Sequence, residues 1–189
     1  MKIAPRADRV LRTQGFTLVE LIVTVAVVAI LATLAAPSFQ EFLVRNRTAA
    51  IANDFVGSVM RARNEAVSRN TCVVMCRTTF ANSPPQCAAG GTDWQPGWVV
   101  FVDNGCTAPN AAANADDVIS SSGPHPADFS LVATGTNTDR IMFSAGGAAR
   151  AGDAQGFDLR YQASTRPSNR TICLSALGRT RVTSFGGAC

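Results

Sequence analysis

The sequence predicts an α+β fold: one long N-terminal helix packed on a mostly antiparallel β-sheet. Two observations predict it. An apolar run from Leu21 to Ala36, interrupted only by the uncharged Thr24 and Thr33, passes into a stretch with helical spacing of apolar residues as far as Ala66. From Thr71 that period gives way to short β-like runs separated by Gly, Pro, Asn and Asp. No internal repeat and no second linker divides the chain.

The helix starts at an unusual junction. A basic leader, with Lys2, Arg6, Arg9 and Arg12 against Asp8, precedes Gly15-Phe16-Thr17-Leu18-Val19-Glu20. From Phe16 to Phe39 the segment is roughly 36 Å long as a helix at ~1.5 Å per residue, enough to cross a bilayer with some tilt. A cleaved secretory signal would end in a small-residue cut site after the apolar region, whereas here the helical pattern continues through it. An uncut anchor leaves Glu20 as a costly carboxylate inside a span. Cleavage between Gly15 and Phe16 supplies a partner, because it frees an α-amino group one helical turn before Glu20. The ammonium of a neighbouring subunit can then pair with that carboxylate. Basic residues ahead of the apolar run fit a cytoplasmic N-terminus with the remainder exported.

After Pro37 the residues Val44, Ile51, Phe55, Val59, Ala62 and Ala66 fall on one side, and Arg45, Asn53, Arg61, Asn64 and Glu65 on the other. This predicts one helix from about Thr17 to Arg69, laying its apolar stripe on a globular domain. Strands are predicted at 71–77 and 99–102, then at 129–133, 140–144, 157–161, 171–176 and 179–184. Residues 107–126, rich in Ala, Asn, Ser, Asp and Pro, read as a mobile loop. The expected division is a leader over 1–15, a membrane or filament-core helix over 16–39, and a globular domain over 40–189.

The net charge of +4 owes most to the leader, whose four basic residues face one Asp. Between Ser130 and Cys189 seven arginines stand against Asp139, Asp153 and Asp158, and every basic residue after Lys2 is Arg. A basic C-terminal face suits phosphate or carboxylate partners. The six cysteines of an exported domain indicate disulfides. Fifteen pairings are open. Cys173 with Cys189 would close the C-terminal strands, and Cys76 with Cys87 would close a short loop.

Gly15-Phe16-Thr17-Leu18-Val19-Glu20-Leu21 before a long apolar run resembles the class III signal of type IV pilins and type II secretion pseudopilins. That resemblance implies the pilin fold, cleavage after Gly15 by a prepilin peptidase, N-methylation of Phe16, and packing of the helix with other pilins in a filament core or in the inner membrane. Pro37 falls where pilins often carry a helix-kinking proline. In the globular part, Trp94-Gln95-Pro96-Gly97-Trp98-Val99-Val100-Phe101-Val102-Asp103 and the stretch from Arg170 to Val182 resemble the GspH/FimT minor pilin family. The family implies a subunit that joins or primes a filament. It leaves open whether that filament is a type IV pilus or a type II secretion pseudopilus.

No catalytic constellation can be assembled. The single His125, between Pro124 and Pro126, reads as a plain exposed loop residue, and without a second histidine no base is available for a Ser or Cys nucleophile. Asp116-Asp117 and Asp103-Asn104 read as turn residues, since calcium-loop spacing is absent. The expectation is a non-enzyme with no cofactor, no metal and no small-molecule substrate. What remains is Gly178-Arg179-Thr180-Arg181. If extended, it aims Arg179 and Arg181 to one face about 7 Å apart, matching successive phosphates of a DNA strand. FimT-like pilins implicated in DNA capture for natural transformation carry a Gly-Arg-x-Arg motif of this kind, so the resemblance names Arg179 and Arg181 as DNA contacts. Arg166 and Arg170 join them on charge alone.

Overall fold

A computed structural model describes residues 15–112, 114–162 and 166–189, without the side chains of 35–37. Leader residues 1–14 and the side chain of Pro37 lie outside the described residues. The chain divides into two units, Met1–Gln40 and Glu41–Cys189.

Helix α1 (Leu18–Arg69) begins in the first unit and opens on Thr17, whose Oγ1 accepts the Glu20 backbone N–H at 3.2 Å. This satisfies one donor that the first helical turn would leave unpaired. Apolar side chains are bare on every side of the helix: Leu18, Ile22, Val25, Val28, Leu31 and Leu34 are all at least 58 % exposed. A helix that is apolar all round belongs in a protein core, a bundle or a bilayer. Among the described residues no single helix is long and apolar enough to cross a membrane. Leu18–Leu34 and Ser38–Arg69 together meet that requirement by length and composition.

The second unit has its own core. Strands β1 (Cys72–Arg77), β2 (Trp98–Asp103), β3 (Val118–Ser122) and β5 (Arg140–Phe143) form one antiparallel sheet, ordered β3-β2-β1-β5. Strands β4 (Phe129–Ala133), β6 (Gly156–Tyr161), β7 (Arg170–Leu174) and β8 (Thr180–Ser184) form a second, ordered β4-β6-β7-β8. The helical stripe Val44, Ile51, Phe55, Val59, Ala62 and Ala66 is buried, and both sheets contribute to the same apolar cluster. Phe55 sits at its centre, with ring centroids 5.2 Å from Trp98 of β2, 4.7 Å from Phe157 of β6 and 5.5 Å from Trp94 between them.

Two expectations are corrected. The strands make two sheets, because β5 returns to pair with β1 while β4 pairs with β6, a choice of partner that local pattern does not encode. The stretch 107–126 is not wholly loop. It holds a 3₁₀ turn (Ala115–Asp117) and β3, whose Ser120, Ser121 and Ser122 pair with Val100, Val99 and Trp98. Backbone pairing makes this a strand, and Ile119 is its one aliphatic side chain packed against the main core.

Three disulfides complete the unit: Cys72–Cys106, Cys76–Cys87 and Cys173–Cys189. The last two are the pairs named above, and Cys72–Cys106 is one the sequence did not single out. Cys72, Val74 and Cys76 alternate onto the face of β1 away from α1, and there they form a second buried cluster with Val99, Phe101, Met142 and Ala108. Two of the bridges thus hold connecting loops over the outer face of the first sheet.

Replacing Phe55 by Ala removes the ring that touches all three aromatic neighbours. It is expected to destabilise the globular unit by about 3–5 kcal/mol. Denaturant unfolding followed by the fluorescence of Trp94 and Trp98 measures this directly.

Candidate functional site

At the N-terminus, Phe16 is 81 % exposed, and Gly15 and Glu20 are exposed with it. The Glu20 carboxylate has no partner among the described residues. The ordinary role for an acid here is interaction with the positive end of the helix dipole, worth about 0.3–1 kcal/mol.

The other site is the corner where β7 turns into β8. Ser175 N–H donates to Arg179 O at 2.9 Å and Gly178 N–H to Ser175 O at 2.9 Å, closing a tight turn. Gly178 has φ +72°, and a Cβ there would lie 2.2 Å from Gly147 O and 3.0 Å from the Arg63 side chain, so only glycine fits. Arg179 ends this turn, just before β8, and Arg181 lies in the strand opposite Cys173. Both arginines are exposed. Together with Leu177 and the Cys173–Cys189 bridge they line a groove of about 440 Å³. Arg181 Nη2 donates to Ala188 O at 2.7 Å, which fixes its guanidinium against the disulfide-tethered tail.

Arg170 and Arg166 do not join this groove. Arg170 pairs with Ser184 at the far end of the hairpin, and alternation along β7 puts it on the face opposite Arg181. Its Nη1 donates to Pro167 O and Asn169 O. Arg166 reaches Glu41 Oε2 at 3.4 Å and lies over the Tyr161 ring. Two residues the sequence did not select are nearer in kind. Arg160 shares the outer face of the second sheet with Arg181, but its charge is met by Asp158 at 3.2 Å. Arg63 of α1 borders Gly178 itself. Strand alternation would have found Arg160, whereas nothing local points to Arg63.

His125 is also corrected. Its side chain is largely buried, stacked on Trp98 with centroids 4.8 Å apart, and its Nε2 lies 3.7 Å from Asp54 Oδ2. The flanking prolines and polar neighbours suggest a loop tip, but the His125 backbone N–H donates to Gln95 O and draws the loop onto the domain. With Ser122 also donating to Asp54, this is a packed polar cluster holding β3 against α1.

The pattern of the family described as type II transport protein GspH matches residues 52–178, well over half of the chain, which therefore belongs to that family. The prokaryotic N-terminal methylation motif matches residues 11–36. Two crystal structures of the Pseudomonas aeruginosa type IV minor pilin FimU share the fold. One superposes with a TM-score of 0.56 at 19 % identity, covering 78 % of this chain and 96 % of that one. The other gives 0.54 at 16 %, covering 74 % and 95 %. No curated protein matches the sequence. The chain is thus a GspH-family protein with the α+β pilin fold and the N-terminal motif of pilins and pseudopilins.

Burial lowers the His125 pKa from its ordinary 6.5, outweighing the opposing pull of Asp54. The unfolded chain therefore takes up this proton more readily. Stability is expected to be full above about pH 6.5 and to fall as pH drops from there towards the lowered folded value. His125→Gln should flatten that part of a thermal-stability profile, and an unchanged slope would contradict it.

Proposed function

We propose that this chain is a minor pilin or pseudopilin, a filament subunit that catalyses nothing itself. In this reading a prepilin peptidase cuts after Gly15 and the freed Phe16 amine is methylated. The helix then waits in the inner membrane, with the globular domain outside, until it packs among other pilins. The observation that carries this is the bare helix. Residues 18–34 expose apolar side chains on every side, while the globular unit satisfies its own core without them. Glu20 is the one carboxylate in that surface, placed for a neighbour's ammonium. The fold shared with FimU supports a type IV pilus subunit that assembles or primes the filament. The alternative is a type II secretion pseudopilin without DNA binding, supported by the family's description.

A second activity has its own observation: Arg179 and Arg181 are exposed, line one groove and make no salt bridge among the described residues. An uncompensated pair of this kind suits the phosphate backbone of DNA, and we read it as a contact for extracellular DNA during transformation. Arg170 is held by neighbouring carbonyls and Arg166 by Glu41, and they enter this reading only as distant contributors to a basic field.

Two experiments test these readings. Mass spectrometry of the chain expressed with its prepilin peptidase should find a mature N-terminus at methylated Phe16, and Glu20→Ala should mature normally yet fail to enter filaments. A different N-terminus, or normal incorporation of the variant, would refute the subunit reading. For DNA, the full chain in detergent micelles is titrated with duplex across a salt series. Arg179→Ala with Arg181→Ala should flatten the slope of log K against log salt by about 1.8, or ~0.9 per lost phosphate contact. No binding at low salt, or binding equal to the parent's, would remove the two arginines as a site.

A further inference from the structure

We propose that Arg63 of α1 completes, with Arg179 and Arg181, a single phosphate-binding corner around the β7–β8 turn. The inference rests on the DNA reading and assigns the corner a third cation that the motif does not contain.

The argument begins with how each arginine's charge is met. Arg45, Arg69, Arg140, Arg150, Arg160 and Arg166 each lie within 3.4 Å of a carboxylate. Arg47, Arg61, Arg63, Arg77, Arg170, Arg179 and Arg181 have no carboxylate partner among the described residues, and of these Arg63, Arg179 and Arg181 meet around one turn. A cleft of about 240 Å³ between α1 and the turn is lined by Met60, Arg63, Asn64, Gly178, Arg179 and Thr180. Arg179 also lines the adjoining groove with Arg181, so it joins the two. Among the described residues neither lining contains an acidic side chain.

Anchoring is the second observation. Arg63 Nε donates to Gly147 O at 2.9 Å, as Arg181 Nη2 donates to Ala188 O at 2.7 Å. A carbonyl orients a guanidinium without cancelling its charge, and the remaining N–H groups stay available in a fixed fork. Arg63 keeps both Nη groups for a ligand. Because the forks are held in place, less side-chain entropy is lost when a phosphate binds. Among the described residues no aromatic side chain lines either cleft, so these linings offer no stacking platform for unpaired bases, and their chemistry fits the backbone of a duplex.

The test uses the full chain in detergent micelles and a random-sequence 20-base-pair duplex. Arg63→Gln should make the salt slope shallower by about 0.9, while Arg63→Lys, which keeps the charge, should retain the parental slope. In the unmodified protein, phenylglyoxal labelling read by peptide mass spectrometry should show duplex protection at Arg63, Arg179 and Arg181 but not at Arg69. That measurement needs no variant to fold. A parental slope in Arg63→Gln with only a lowered Tm, or equal Arg63 labelling with and without duplex, would reduce Arg63 to a brace for Gly147 and leave Arg179 and Arg181 in place. If the parent protein binds no duplex, the DNA reading fails and this inference falls with it.

Discussion

Phe55 is where one helix holds two sheets. The sheets share no strand, and the cluster that joins them runs through this ring, which meets Trp98 of the first sheet and Phe157 of the second. Aromatic contacts of this kind, edge-on to Trp98 and tilted to Phe157, add about 0.5–1.5 kcal/mol beyond the area they bury. They also fix an angle, so the helix cannot roll without breaking several at once. Because α1 is held, Arg63 is held, and its Nε reaches Gly147 O beneath the β7–β8 turn. The placement of the candidate phosphate corner therefore follows from core packing. The tryptophans keep their polar atoms satisfied while doing this, Trp94 by Thr138 O and Trp98 by Ser58 Oγ.

The globular unit buries a core of its own, and among the described residues the apolar side chains of 18–34 in the helix ahead of it are exposed. Apolar surface of that extent left in water is costly at roughly 25 cal/mol per Å². A bilayer or a bundle of like helices removes that cost, and the same surface serves both before and after assembly. In such surroundings a carboxylate needs a partner, which is the physical basis of the role proposed for Glu20.

Much of this was legible in the sequence. The helix and its buried stripe followed from a 3.6-residue period, and β4 was readable as a short apolar run in which Phe129, Leu131 and Ala133 point inward and Ser130 and Val132 outward. Non-local or backbone-determined features were hidden. β3 has a serine face and becomes a strand only because β2 offers it a ladder. Membership of two sheets depends on β5 returning to β1. His125 looked exposed because its neighbours are polar, and its burial is set by Trp98 and Asp54 far away in the chain. At the candidate site, Gly178, Arg179 and Arg181 form a motif and could be read, whereas Arg63 lies on a different element and shows no pattern of its own.

In the proposed phosphate corner arginine has a physical advantage over lysine. A lysine is a single flexible ammonium, and a hydrogen bond to a backbone carbonyl would occupy the same atom that must meet a phosphate. A guanidinium separates the two tasks. One N–H takes the carbonyl of Gly147 or Ala188, and the rest of the plane keeps its charge and its donors. The same separation explains why Gly178 is needed. Any side chain there would meet Gly147 O and Arg63 together, pushing apart the turn and the helix whose closeness brings the cations into one field. Removing the glycine would thus damage the corner without touching an arginine, through geometry alone.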